Sequence, residues 1–109
     1  MKRAYDTITV PGRRDKTRKL FARERLLLAI YDHTEHGPWQ ETCQTIADAI
    51  GLGEKSVHRA SAELRALGLI TVSDEFGDDG GRLPNRWSLT DSGRTVADRL
   101  ATLVDACSA

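Results

Sequence analysis

The sequence predicts an α+β domain that is mainly helical and has one small β-hairpin, with its elements in the order α-α-α-β-β-α. Two observations support this fold class. Apolar residues recur at helical spacing in four segments, and two short segments with strand character flank a loop at 74–84 that holds three glycines. The second of these segments places Trp87 and Leu89 on one face. The chain has 109 residues, 39% of them hydrophobic, which is enough for one domain around one core.

The first 16 residues have little helical pattern, and we expect them to form a basic arm that precedes a folded domain over 17–109. The segment Tyr5–Val10 alternates weakly and fits either a short strand or an extended chain. The whole chain has a net charge of zero, but residues 1–25 hold nine basic and three acidic side chains, a local charge of +6. Such an asymmetry indicates an arm for a polyanion, with a solvated tail as the alternative.

The first helix should begin at residue 16 or 17 and end near 34, because Gly37-Pro38 cannot continue it. A short second helix is predicted over Cys43–Ile50, since Thr42 is a good N-cap residue. The buried face of this second helix should consist of Ile46, Ala47 and Ile50.

A tight turn, Gly51-Leu52-Gly53, leads from the second helix into a third that runs from Glu54 to about Leu67 and ends at Gly68. Its apolar stripe consists of Val57, Ala60, Leu64 and Leu67. In two helices joined by a tight turn, the second helix packs against the rest of the domain by one face and leaves its outer face exposed. An exposed helix fits the major groove of DNA.

Two strands and a last helix complete the expected domain. The strands are Leu69–Ser73 and Asn85–Leu89, and the loop 74–84 joins them. Thr90 or Asp91 should cap the final helix, which runs to about Cys107.

The outer face of the third helix carries residue types that suit contact with DNA. Arg59 can donate two hydrogen bonds to a guanine edge. Lys55 and Ser56 can bind phosphates beside the helix N-terminus, and His58 can donate to a base or a phosphate. The alternative is an ordinary amphipathic helix whose polar face is only solvated.

Three stretches follow each other in a recognisable order: IADAIGL at 46–52, SVHRASAELRALGLI at 56–70 and LTDSGR at 89–94. Together they resemble the DNA-binding domain of bacterial winged helix-turn-helix transcriptional regulators of the MarR and PadR type. The resemblance covers about residues 20–106 and implies a winged helix-turn-helix in which Ser56, His58 and Arg59 face DNA. It implies core positions for Val57, Leu64, Leu67, Leu69 and Ile70.

The resemblance also implies a wing between residues 73 and 85 that lies along the DNA backbone or in the minor groove. This wing departs from the family pattern because four acids lie in it: Asp74, Glu75, Asp78 and Asp79. Since acids repel phosphate, we expect only Arg82 and Arg86 near the backbone and the Asp78-Asp79 tip turned away; alternatively, the wing binds a protein. The basic arm offers three further candidates for an adjacent groove: Arg13, Arg14 and Lys16.

The last helix carries an apolar stripe wider than one hairpin needs for cover. Its first row is Val96, Leu100, Leu103 and Cys107, and its second is Ala97, Ala101 and Val104. We therefore expect a homodimer through the C-terminal helix, with packing on the first helix as the alternative.

Other chemistries have little support in the sequence. His33, His36 and His58 lack a Glu or Cys at metal-site spacing, so we expect no metal, no cofactor and no catalysis. Cys43 and Cys107 lie far apart in the sequence and are expected to be reduced thiols. No group of residues indicates a site for a small-molecule ligand. No apolar run approaches the ~20 residues of a membrane-spanning helix, and no signal peptide is evident, so a cytoplasmic location is expected.

The sequence therefore predicts a sequence-specific protein that binds double-stranded DNA and reads the major groove with helix 54–67. Its expected role is that of a transcriptional regulator acting as a repressor. Two alternatives stay open at this point: a partition or replication protein of a plasmid or phage, and a winged helix that binds another protein.

Overall fold

The structure is a computed structural model that describes residues 4–14 and 16–108, the last of these by its backbone alone. The expected fold class is confirmed, because helices dominate and the strands form small antiparallel sheets. The helices are α1 (Ala22–His33), α2 (Cys43–Ile50), α3 (Glu54–Ala66) and α4 (Asp91–Ser108). The strands are β1 (Thr9–Pro11), β2 (Thr17–Lys19), β3 (Trp39–Gln40), β4 (Ile70–Phe76) and β5 (Arg82–Leu89). Within the described ranges, no helix combines the length and the apolar character that crossing a membrane requires.

The observed order is ββαβααββα, so the predicted order α-α-α-β-β-α lacked β2 and β3 and left β1 as one of two alternatives. β2 lies where the first helix was expected to begin. The start of α1 is set instead by Glu24, whose carboxylate accepts from the Phe21 N–H (2.8 Å) and from Arg18 (2.7 and 3.0 Å). Burial alone would raise the pKa of Glu24, but these hydrogen bonds hold it below its ordinary value. Residues 17–19, which the sequence assigned to the helix, pair with β1 instead, so strand pairing overrides their helical propensity.

The N-terminal residues fold against the body of the domain. β1 pairs with β2 in an antiparallel hairpin and packs against α4. Tyr5 and Val10 are 4% and 1% exposed, and the Tyr5 hydroxyl donates to Asp32 Oδ2 at 2.6 Å. The expected boundary between residues 16 and 17 therefore falls inside this hairpin.

The helix-turn-helix follows its predicted course closely. α2 has the predicted bounds, and the Thr42 hydroxyl accepts from the Thr45 N–H at 3.1 Å, as an N-cap should. Gly51 has a φ of 71°, which suits glycine, and its N–H donates to the Ala47 carbonyl to close α2. The chain then enters α3 at Glu54, where predicted.

Leu67 departs from the prediction, which placed it on the buried stripe of the third helix. α3 ends at Ala66, and the Leu67 side chain is 62% exposed. The stripe is otherwise as expected, because Val57, Ala60 and Leu64 are buried. Leu67 lies at the rim of an open groove between α1, α3 and α4, where these elements do not cover it.

The main sheet has three strands in the order β3-β5-β4. β4 and β5 extend well into the predicted loop 74–84, which shrinks to a short turn. β3 has only two residues, too few for an alternating pattern in the sequence, and pairs Trp39 with Trp87. Trp87 is buried, and its indole N–H donates to the Glu41 carbonyl at 2.9 Å.

Candidate nucleic-acid interface

The N-terminal half of α3 has one buried face and one open face. Val57 and Ala60 anchor it in the core. The opposite face carries the four predicted DNA-contacting residues, of which Ser56 is half-buried and Lys55, His58 and Arg59 are exposed. Within residues 4–14 and 16–108, neither Lys55 nor Arg59 has a hydrogen-bond or ion-pair partner for its side chain. Two cations are therefore available to an external anion.

The N-terminus of α3 is itself open. Its N-cap is Gly53, and no side-chain hydrogen bond caps the helix, in contrast to the Thr42 cap of α2. The first backbone N–H groups of a helix lack partners within it and carry the positive end of the helix dipole. The amides of α3 and the ammonium of Lys55 thus lie at one end of the same helix, an arrangement that suits a phosphate.

A groove of about 380 Å³ lies between this end of α3 and the wing, by which we mean β4, β5 and the turn between them. It is lined by Thr42 and Cys43 of the start of α2, by Glu54 and His58 of α3, and by Arg82 and Asn85 of β5. The structure thus brings two predicted residues together, His58 and Arg82. Thr42, Cys43 and Asn85 were not predicted here, because only the tertiary packing of α2 and the wing beside α3 makes them neighbours.

Cys43 lies beside His58 of α3, which in turn lies beside Glu54. The Cys43 Sγ is 3.9 Å from His58 Nδ1, and His58 Nε2 is 3.9 Å from Glu54 Oε1. Burial, and then the negative charge of Glu54, raise the pKa of the Cys43 thiol. The thiolate is the reactive form of cysteine, so a raised pKa lowers the reactivity of Cys43. Cys43 and Cys107 are both free cysteines. Within the described residues, no group of three metal-ligating side chains is found.

The wing holds its two arginines in ion pairs with β4. Arg82 Nη2 is 3.1 Å from Asp74 Oδ1, and Arg86 Nε is 3.0 Å from Glu75 Oε1. Asp74 lies at a shift in the register between β4 and β5. Two of the four wing acids are thus engaged by the two basic residues that were predicted to contact DNA. Arg82 also lines the groove, whereas Arg86 does not.

Arg13, Arg14 and Lys16 lie in the turn between β1 and β2, and all three are exposed. β1 packs against α4, whereas α3 packs chiefly against α1, α2 and β4. The residues predicted for the arm are therefore on a folded hairpin whose first strand packs against α4. Their contact with DNA stays a prediction.

Part of the basic charge near the N-terminus has structural partners. Arg18 binds Glu24, as described above. Arg25 Nη1 donates to the carbonyls of Ile50 and Gly51, at 3.4 and 3.3 Å, where α2 ends. A cation stabilises the negative end of a helix dipole. The local charge of +6 thus serves the domain itself as well as any polyanion.

No protein-family model matches the chain, and no curated protein matches it either. Among solved structures, a crystal structure of a candidate DNA-binding protein from Ralstonia eutropha JMP134 is similar, with 30% sequence identity and a TM-score of 0.56. The similarity covers 72% of this chain and 93% of that one.

Two MarR family structures have a similar overall fold. ZitR from Lactococcus lactis, a zinc-responsive MarR family member, has a TM-score of 0.63 at 22% identity over 89% of this chain and 62% of its own. A MarR family transcriptional regulator from Silicibacter pomeroyi DSS-3 has a TM-score of 0.58 at 24% identity, over 80% and 56%. The chain thus spans less than two thirds of either protein, and at these identities the likeness establishes the fold.

Proposed function

We propose that the chain, whose fold is similar to that of the MarR family structures, binds double-stranded DNA sequence-specifically and regulates transcription. The observation that carries the proposal is the open face of α3. Lys55 and Arg59 are exposed there without partners among the described residues, at a helix N-terminus that no side chain caps. The candidate DNA-binding protein from Ralstonia eutropha supports the same function.

Each residue of the open face has a distinct role in this proposal. α3 enters the major groove, and Arg59 donates two hydrogen bonds to a guanine edge. Lys55, Ser56 and the first amides of α3 bind the phosphates that flank the groove. His58 donates to a base or a phosphate beside them. Arg82 and Arg86 of the wing follow the DNA backbone, as do Arg13, Arg14 and Lys16 on the N-terminal hairpin.

We further propose that the chain forms a homodimer through α4. One row of this helix is buried against the domain and includes Ala97, Ala101 and Val104. The other row leaves Val96 and Leu103 at 43% and 41% exposure, so two large apolar side chains lie on one open face of the helix. A two-fold pair of chains would present two copies of α3 to half-sites about one helical turn apart.

The biological role follows from where such a dimer binds. We propose that the chain acts in the cytoplasm, where it reaches the genome, and that it represses transcription by blocking access to the promoters it binds. A plasmid or phage protein for partition or replication would use the same surface. Capture of genomic fragments at physiological salt, followed by sequencing, separates these roles. Two-fold sites upstream of genes support regulation, whereas a repeat array at a replication or partition locus supports the other role, and no binding overturns DNA binding altogether.

The residue-level test is Arg59→Ala. We expect this variant to lose about 1–3 kcal/mol of specific binding free energy and to relax the preference at one base pair, because a bidentate contact to guanine is lost. Titration of the purified chain against its captured site, and against that site altered at each base pair, measures both effects.

Arg65→Ala is the matched control, since it removes the same charge from the C-terminal end of α3, where side chains lie farther from base edges. We expect it to leave the base preferences unchanged. If Arg59→Ala keeps the affinity and base preferences of the parent, α3 is not the element that reads DNA.

A further inference from the structure

We propose that Asp74 and Glu75 compete with DNA phosphates for the wing arginines, weaken the contact of the wing with the DNA backbone, and thereby keep sequence-independent binding weak. The inference rests on the proposed function. It starts from the two ion pairs across the wing, Arg82 with Asp74 at 3.1 Å and Arg86 with Glu75 at 3.0 Å. The cations of the wing are therefore neutralised within the protein, whereas Lys55 of α3 has no partner among the described residues.

These ion pairs restrain the arginines without locking them. The Arg82 and Asp74 side chains are both 63% exposed, and pairs this exposed contribute little to stability. A phosphate can therefore displace the carboxylate. The displaced carboxylate then faces the phosphate as an unpaired anion, and the repulsion between them opposes the new contact. Segment 74–86 holds four acids and two arginines, a net charge of −2, so its other side chains do not offset that repulsion.

The division of charge between wing and helix has a consequence for recognition. Contacts to phosphate carry no sequence information and supply most of the affinity for random DNA. A wing whose arginines are neutralised adds little to that affinity. Binding then depends chiefly on α3, whose unpaired cations are proposed to contact base edges. Non-specific sites, which are in large excess in a genome, therefore compete less with the specific site for the protein.

The test uses Asp74→Asn in the full chain and a fluorescent duplex of random sequence. We expect about two- to fivefold tighter binding than the parent, the range that the strength of an exposed ion pair allows. We also expect the slope of log affinity against log salt to steepen by about 0.9, the value for one added phosphate contact. Thermal unfolding of each variant confirms that the fold is kept.

Two further variants separate the release of Arg82 from a mere change in charge. Asp78→Asn removes one negative charge from the turn of the wing, and among the described residues Asp78 has no arginine partner. It should tighten binding to the random duplex less than Asp74→Asn does. Asp74→Asn combined with Arg82→Ala should lose the gain of Asp74→Asn alone, because the released guanidinium is then absent.

Each outcome bears on the proposal. An unchanged or weaker affinity of Asp74→Asn overturns it, as does an equal gain in Asp78→Asn or a gain that survives Arg82→Ala. These results leave the proposed function intact, because the parent still binds DNA and Arg59→Ala still tests α3. If the parent and every variant bind no duplex even at low salt, the proposed function fails together with this inference.

Discussion

Gly93 sets how closely α4 approaches the chain that leaves α3. A Cβ built on Gly93 would overlap the carbonyl oxygen of Leu69. Thr90 ties the same junction, because its hydroxyl donates to the Gly68 carbonyl at 2.6 Å and accepts from the Gly93 N–H at 3.0 Å. In the LTDSGR stretch at 89–94, Thr90 therefore caps α4, and Gly93 lets α4 pack closely against the start of β4.

Gly93→Ala should lower the free energy of unfolding by about 1–3 kcal/mol, because backbone on both sides must move to admit a methyl group. Urea denaturation of the purified variant measures this loss. Ser92→Ala is the control, since Ser92 is the exposed neighbour of Gly93 in α4, and we expect a change within about 0.5 kcal/mol. Equal stability of the two variants would show that the α4 junction tolerates a wider spacing.

Among the elements, the N-terminal hairpin differs most from its prediction, which was an arm outside the folded domain. Its turn is basic and exposed, as a DNA-binding arm requires, but Val10 of β1 belongs to the core. Val10 is buried against α4, and Tyr5 binds Asp32. The hairpin therefore couples two properties, the stability of the domain and the placement of three cations.

Val10→Ala should lower the free energy of unfolding by about 2 kcal/mol, from the lost burial of two methyl groups and the cavity left behind. Lys19→Ala, on the exposed side of the same hairpin, should leave stability within about 0.5 kcal/mol of the parent. Chemical denaturation distinguishes the two. A stability of Val10→Ala equal to that of the parent would mean that residues 1–16 behave as a free arm.

At the scale of the whole molecule, α4 joins the domain to its proposed partner. Its inner row fills the core beside α1 and β1, whereas Val96 and Leu103 on the outer row meet no comparable cover among the described residues. Exposure of two large apolar side chains on one helix face costs free energy in water, and a second copy of the same face would remove that cost. Dimerisation would thus complete the packing of α4 and set the spacing of two α3 helices.

Leu103→Asp should dissociate the dimer while each chain keeps its fold, because the new carboxylate would be buried without a partner in the interface. Sedimentation analysis over a range of concentrations measures the oligomeric state, and circular dichroism checks the fold. Thr102→Asp adds the same charge at the neighbouring exposed position and should leave the dimer in place. A parent chain that sediments as a monomer at every concentration would refute assembly through α4.

The sequence predicted the helix-turn-helix well, because its signals are local. Thr42 caps the N-terminus of α2, and Gly51, the residue directly after its last one, caps the C-terminus. The apolar spacing of α3 identified both its buried stripe and the open face with Lys55 and Arg59. Leu67 followed the same spacing but lies where the helix has ended, so a periodic pattern alone misassigned it.

The sequence by itself therefore determined the fold class, the bounds of α2 and the outward face of α3, since capping and helical period act between residues a few positions apart. Only the tertiary structure decided that Thr17–Lys19 is a strand, that Arg82 is paired with Asp74, and that Cys43 and Asn85 line the groove beside α3. Each of these depends on residues that are distant along the chain or on the partner strand. Strand pairing and ion pairing between elements leave no fixed spacing in the sequence, because their partners are chosen by packing.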